Sequence, residues 1–355
     1  MTVFYTTLAS TFIIGAYSRL AEKKDKKLGI FFAFFAMVII VLISGLRSNI
    51  GDTEAYMQSY KQLSTFSGFT DEMKDKGFIL FQLILYNINK DPQFLVFVTS
   101  IITQVCIIYG LYKYRSYFEL EVYMYITCGI FLVTMNGIRQ AMVGAMLFAS
   151  TKLIVKGQFI PYAIIAIILS TMHSSAIIMI PMYFIARQKA WSKNTMIIIM
   201  VSIIGFIFFY QLMPHVFDMM GDSSYVEYEE IMMKGGGGAS LMRVIVNAVP
   251  VVLAYMNRKK IEEIWPESNI FVNMAIINLI FITFALYNWI FARFQLYFQF
   301  YNIVLLPFII KNCFERRQDR DLVYYIFILC YFGFFYYEQV IGKVGLGYRS
   351  KYFSL

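Results

Sequence analysis

Charge is what this chain has least of. Only 15% of its 355 residues are Asp, Glu, Lys or Arg, against roughly a quarter in an ordinary soluble domain. Hydrophobic residues make up 59% and the mean hydropathy is +0.62, which excludes that class. Histidine is nearly absent, with only His173 and His215; a zinc site of the usual kind is therefore not expected, and neither metal nor cofactor is. The four cysteines, Cys106, Cys128, Cys313 and Cys330, are scattered without a CxxC pair, so no disulfide or metal framework follows from them. Gly235-Gly236-Gly237-Gly238 lacks the Lys-Ser/Thr ending of a phosphate-binding loop. It reads as a hinge, and a loop that moves on it would serve as a lid. No internal repeat points to a transporter built from inverted halves.

What is there in abundance is apolar runs of about 17 to 22 residues, the length that crosses a bilayer as helix. The runs are continuous rather than alternating, and in lipid only helices or closed barrels satisfy the backbone, so helices are expected. The first run, Val3 to Ala16, has neither a basic leader before it nor a small-residue cleavage site after it, and reads as a retained helix. A second covers about 29–46. Others follow at about 93–112, 118–135, 138–155, 158–172, 174–187, 195–213, 241–257, 269–289, 294–310 and 321–337. The expected fold is an all-α polytopic membrane protein with about twelve transmembrane helices, within a range of about 10–13, forming one domain over 1–355. The net charge of +9 sits in short clusters between the runs, such as Arg19 to Lys27 and Lys311 to Arg320. That is the positive-inside pattern and not a groove for nucleic acid. It places the N-terminus outside, with long extracytoplasmic segments at about 47–92 and 214–240. The apolar stretch Phe78 to Tyr86 within the first is too short to span and reads as an interfacial or re-entrant helix.

The informative polar residues fall at the outer helix ends. Arg47 ends the second run, Arg139 opens a descending one in Asn136-Gly137-Ile138-Arg139-Gln140, and Arg293 opens another in Phe291-Ala292-Arg293-Phe294. An arginine at the centre of a membrane helix costs about 2.5–3.5 kcal/mol, so each placement needs a reason. Two are open: snorkelling or pairing with a carboxylate, or a shared anionic ligand whose phosphate oxygens suit the planar guanidinium fork. His173 lies between two apolar legs that reach only about 25 and 21 Å at 1.5 Å per residue, short of the roughly 30 Å hydrocarbon core. Its turn is thus expected at the floor of a recess, where the imidazole either caps a helix or transfers a proton. Asp52 and Glu54 stand within seven residues of Arg47, to pair with it or to act as a general base. Tyr56, Tyr60, Tyr225, Tyr228, Tyr297 and Tyr301 fit an interfacial belt, and some would stack on sugars.

These residues also carry a family resemblance. Gly45-Leu46-Arg47 with Ile50-Gly51-Asp52-Thr53 and Tyr56, Asn136 to Gln140, Met172-His173-Ser174-Ser175-Ala176, and Phe291 to Phe294 with Tyr297 and Leu306-Pro307 resemble, in order and spacing, the EpsG family of Wzy-like exopolysaccharide polymerases. Many relatives read Gly-Thr-Asp where this chain has Gly51-Asp52-Thr53, which displaces the acid by one position. The resemblance implies a GT-C/Wzy-like glycosyltransferase of the cell membrane, with its active site facing outward, that makes biofilm-matrix polysaccharide. It would join undecaprenyl-diphosphate-linked oligosaccharide units without a metal. Its other partners would be membrane lipid and the flippase and chain-length regulator of the same pathway. Arg47, Arg293, Gln140, Tyr56 and Tyr297 would bind diphosphate and sugar, Arg139 would stabilise the departing charge, and Asp52 or His173 would take the acceptor's proton. The rival functions are a flippase for the same lipid-linked sugar and another membrane glycosyltransferase or ligase.

Overall fold

The computed structural model describes residues 1–70, 73–212, 238–342 and 347–352. The expected outer segment at 214–240, with Tyr225 and Tyr228, lies almost wholly outside the described residues. Those that are described form helices and turns joined by short connections, with one isolated β-bridge between Arg47 and Ser350. They divide into two compact units, Met1–Tyr183 with Ile310–Leu355, and Phe184–Ile309.

The first unit opens on a helical hairpin, α1 (Thr2–Glu22) and α2 (Lys26–Gly45). Asp25 starts α2 by accepting the Lys27 N–H at 2.9 Å, which satisfies one of the donors a helix start leaves free. Two short helices follow, α3 (Thr53–Gln62) and α4 (Lys76–Ile88), the second of them over the apolar stretch expected to form an interfacial helix. Asp91 then caps α5 (Pro92–Tyr114), with Pro92 at the first helical position where its missing N–H costs nothing. After α5 come α6 (Phe118–Thr127), α7 (Ile130–Asn136), α8 (Ile138–Ala149) and α9 (Thr151–Val155). A shorter hairpin is made by α10 (Phe159–Ser170), a 3-10 turn at Ser174–Ile178 and α11 (Met179–Arg187).

The second unit holds α12 (Lys193–Ile207), α13 (Leu241–Met256), α14 (Arg258–Ile264), α15 (Ser268–Phe284) and most of α16 (Ile290–Cys313). The chain then returns to the first unit through α17 (Arg317–Tyr336).

In the first unit α5 is the central post, packing on α2 and α8, while α1 packs on α2 and α6. A buried polar chain runs through this apolar interior. Gln104 of α5 donates to Ser44 and Thr134 at 3.3 Å each and accepts from Tyr125 at 2.6 Å. Buried polar groups without partners are costly, and these satisfy one another. In the second unit the Phe281 ring stacks on Phe294 and Phe298 with centroids 4.9 and 5.5 Å apart. Asn278 and Asn302 both donate to Asn247 Oδ1, at 2.8 and 3.2 Å.

Each apolar run expected to span is helical, but the count of twelve spans is not confirmed. Four helices among the described residues are long and apolar enough to cross a membrane: α2, α5, α8 with α9, and α16. The number rises to six if α6–α7, bent by 56°, and α13–α14, bent by 78°, each count as one span. The rest are shorter or more polar. α10 has 12 residues and α11 has 9, rises of about 18 and 13 Å, so neither reaches across a core of about 30 Å. Exposed Phe31 and Phe34 on α2 form an outer face that water would penalise and lipid accepts. The protein is membrane-embedded and all-α.

Candidate functional site

Arg47, Tyr56, Arg139 and His173, far apart in sequence, are gathered at one end of the first unit. The residue that joins two of them, Arg139 and His173, is Asp75, in the loop before α4. Its Oδ2 accepts from Arg139 Nη1 at 2.9 Å and lies 3.5 Å from His173 Nδ1, close enough for an ion pair with a protonated ring. Its Oδ1 accepts the Ser174 N–H at 3.0 Å. Asp75 is 8% exposed, while Arg139 is 37% and His173 21% exposed, so the carboxylate forms the floor and the two bases stand above it.

Local backbone chemistry fixes this arrangement. Asp75 has φ 54° and ψ 44°, a left-handed conformation that costs a non-glycine residue about 1–2 kcal/mol. It persists because the surroundings over-determine it. The Gly77 N–H donates to Thr171 O at 2.8 Å, docking the loop on the turn that carries His173. A Cβ on Gly77 would lie 2.2 Å from Thr171 Oγ1 and 2.8 Å from the Thr171 carbonyl carbon, so only glycine allows that approach. Burial pushes the Asp75 carboxyl up. The nearby His173 imidazole, the Ser174 N–H and the Arg139 charge together outweigh it and hold the group below its ordinary value.

Arg139 donates through Nε to the Tyr56 hydroxyl at 3.3 Å, and its guanidinium carbon lies 5.7 Å from the Tyr56 ring and 5.8 Å from that of Phe78. Its Nη2 has no partner among the described residues. The aromatic pair belongs to an apolar cluster with Tyr60, Leu85, Leu95, Ile138 and Met142, which holds α3, α4, α5 and α8 together beneath the site. Arg139 therefore has a rigid base, one committed anionic partner and an open edge.

Arg47 is different. It is 0% exposed. Nε donates to Thr53 Oγ1 at 3.0 Å, Nη1 to Ser100 Oγ at 3.1 Å and to Ser44 O, and Nη2 to Met135 O at 2.7 Å. Four of the five N–H donors of a guanidinium are thus spent on the protein. The charge ties the ends of α2 and α7 to α5 and continues the buried polar chain through Ser100 and Ser44, which lie 3.0 Å apart. The substrate-binding role expected of Arg47 finds no open edge here; its geometry is that of a structural clamp.

Asp52 is exposed, and its backbone N–H donates to Asn136 Oδ1 at 3.0 Å. No ion pair to its carboxylate is present among the described residues, and Glu54 is likewise exposed. Gly51 has φ 54°, and a Cβ there would lie 2.2 Å from Asn136 Oδ1, so the motif's glycine is needed both for its backbone and for its space. Gln140 is buried on α8. The C-terminal strip 347–352 folds onto the same motif. Ser48 N–H donates to Arg349 O at 2.9 Å, Arg349 N–H to Asn49 Oδ1 at 2.7 Å, and the Tyr348 hydroxyl to Ile43 O at 2.9 Å. Nothing in the sequence pattern announces that strip.

Arg293 and Tyr297 belong to the second unit. Arg293 is exposed at the start of α16 with its guanidinium carbon 4.4 Å from the Trp289 ring centroid, and Tyr297 is buried one turn on.

One family model matches the chain, that of the EpsG family, over residues 30–348. No curated protein and no solved structure matches it. The match covers Arg47, Tyr56, Asp75, Arg139, His173 and Arg293 alike and runs into the C-terminal strip. The chain belongs to the EpsG family and is an exopolysaccharide-related membrane protein.

Proposed function

We propose that this protein polymerises undecaprenyl-diphosphate-linked oligosaccharide repeat units into exopolysaccharide at the outer face of the cell membrane. The single observation that carries the reading is the Asp75 carboxylate shared by Arg139 and His173. It pairs a cation that has an open edge with a histidine whose second ring nitrogen remains for proton transfer.

The sugar's C1–O bond to diphosphate breaks as a C1–O bond to the acceptor hydroxyl forms. Negative charge grows on the departing diphosphate, and Arg139 stabilises it through its free Nη2 and its net charge. Arginine suits this because its planar fork holds phosphate oxygens at two points. The acceptor's proton passes to His173 Nε2. Asp75 beside Nδ1 orients the ring and stabilises the imidazolium, the role a carboxylate plays behind a catalytic histidine. The proton then leaves to the released diphosphate or to water, which restores the neutral ring. Tyr56, held against Arg139, serves the sugar side, while Gln140, the next residue on α8, is buried and supports the helix behind it. Asp52 is the alternative base, and Arg47 serves as the wall that positions the motif.

The test is incubation of purified protein in proteoliposomes with lipid-linked repeat units, read as a ladder of lengthened glycans. Wild type extends the ladder; Arg139→Ala inserts and folds but gives single units only. Substrate that crosses the bilayer without lengthening identifies a flippase instead and sinks the polymerase reading.

A further inference from the structure

The opposite end of the first unit carries a second charged site, which the proposed reaction does not use. A cleft of about 830 Å³ opens where α1, the α5–α6 turn, the end of α16 and the start of α17 meet. Its volume is in the range of about 300–1,000 Å³ usual for ligand pockets. Six basic side chains line it, Arg19, Lys23, Arg115, Lys311, Arg317 and Arg320, against two acids, Glu22 and Asp321.

The carboxylates in reach are already committed. Buried Glu119 pairs with Arg19, its Oε1 lying 2.7 Å from Nε. Glu22 holds Arg115 through both of its oxygens. Asp321 lies 3.5 Å from Arg317 and 3.9 Å from Arg320. That leaves Lys23 and Lys311 exposed and without a carboxylate among the described residues, Lys311 standing 5.9 Å from the Tyr117 ring centroid. Arg115 also donates to the Tyr112 carbonyl, so part of the basic lining answers to a helix end. The two lysines have no such bond among the described residues. Like charges gathered in one cleft repel unless an anion joins them.

The surroundings identify the anion's carrier. Two lining helices change between apolar and charged at the cleft: Leu322 follows Asp321 on α17, and Leu20 follows Arg19 on α1, just before Lys23 at its end. Leu20 is 51% exposed, Leu322 60% and Tyr325 63%. A polar cleft with apolar walls continuing along its helices matches a phosphate headgroup with acyl chains, and basic pockets between membrane helices bind anionic lipid headgroups in this way. We propose that this cleft is a binding site for an anionic phospholipid, with the phosphodiester of one glycerophospholipid between Lys23 and Lys311 and its acyl chains along α1 and α17.

Purified full-length protein in mild detergent, titrated with dioleoyl phosphatidylglycerol and read by native mass spectrometry, tests this. One phosphatidylglycerol should bind at least tenfold more tightly than dioleoyl phosphatidylcholine. Equimolar glycerol phosphate should not displace it. Lys23→Gln with Lys311→Gln should lower phosphatidylglycerol binding at least tenfold with an unchanged melting temperature, while Lys61→Gln with Lys90→Gln should leave it as in wild type. Lys23→Arg with Lys311→Arg should restore most of the binding. Equal retention of the two lipids, equal loss in both glutamine pairs, or displacement by glycerol phosphate at parity would each overturn the proposal, the last by assigning the cleft to free phosphate.

Discussion

Replacing Arg47 separates a structural clamp from a ligand-binding arginine. In Arg47→Ala the two hydroxyl partners keep other bonds: Ser100 still has Ser44 Oγ at 3.0 Å, and Thr53 still donates to Ile50 O. The Ser44 and Met135 carbonyls lose the guanidinium donors that reach them. A buried acceptor left unsatisfied costs about 1–3 kcal/mol, so the pair loses roughly 2–6 kcal/mol. The void left by a fully buried side chain adds to this, and relief of the desolvated charge offsets part of it. Arg47→Lys keeps the charge but loses the fork that reaches Thr53 and Met135 together, and should fall between wild type and alanine. The assay is thermal unfolding of detergent-purified protein followed by loss of the monodisperse size-exclusion peak. Arg47→Ala should unfold well below wild type, Arg139→Ala close to it. An Arg47→Ala protein that melts as wild type yet fails to hold lipid-linked diphosphate refutes the clamp and returns Arg47 to the ligand.

Three other outcomes follow from the same geometry. Gly77→Ala should push the Asp75 loop off the Thr171 turn, because a Cβ lies 2.2 Å from Thr171 Oγ1; glycan extension should fall with little change in expression, and chain-length gels check it. His173→Gln should lower the polymerisation rate about 10²–10⁴-fold, the usual size of a general-base contribution, while binding of substrate measured by filter assay stays within a few-fold of wild type. The Asp75 carboxyl is held below its ordinary value, so its ionised form stabilises the fold above the unfolded value near 4, and that contribution disappears as pH falls through the lower folded value. Melting curves of wild type and Asp75→Asn should therefore stand furthest apart at pH 5–7 and converge at low pH; a constant separation down to pH 2.5 contradicts the pairing.

Much of this architecture is legible in sequence because lipid leaves few choices. Unbroken apolar runs become helices, and Asp25, Asp91-Pro92, Ser192 and Ser240 mark helix starts where caps are found. Hydropathy does not register the bends, however. The run at 118–135 breaks between Thr127 and Ile130, and the two pieces turn by 56°, so the apolar runs alone do not fix the number of spans. Arg139 and His173 stand out because a charged or titratable side chain beside apolar runs is expensive. Asp75 does not, since Lys74-Asp75-Lys76 reads as an ordinary solvated loop. Its partners lie 64 residues away at Arg139 and 99 at Ser174, so only the folded chain reveals them. Arg47 shows the converse: an arginine at a helix end looks the same whether it clamps carbonyls or faces a ligand, and only its acceptors decide.

The most direct test of the central claim is the length distribution of glycan made by purified wild type, His173→Ala and Arg139→Ala from lipid-linked repeat units in proteoliposomes. The shared carboxylate predicts a ladder for wild type and unextended single repeat units for both variants, with all three proteins equally folded. A full ladder from either folded variant would contradict it.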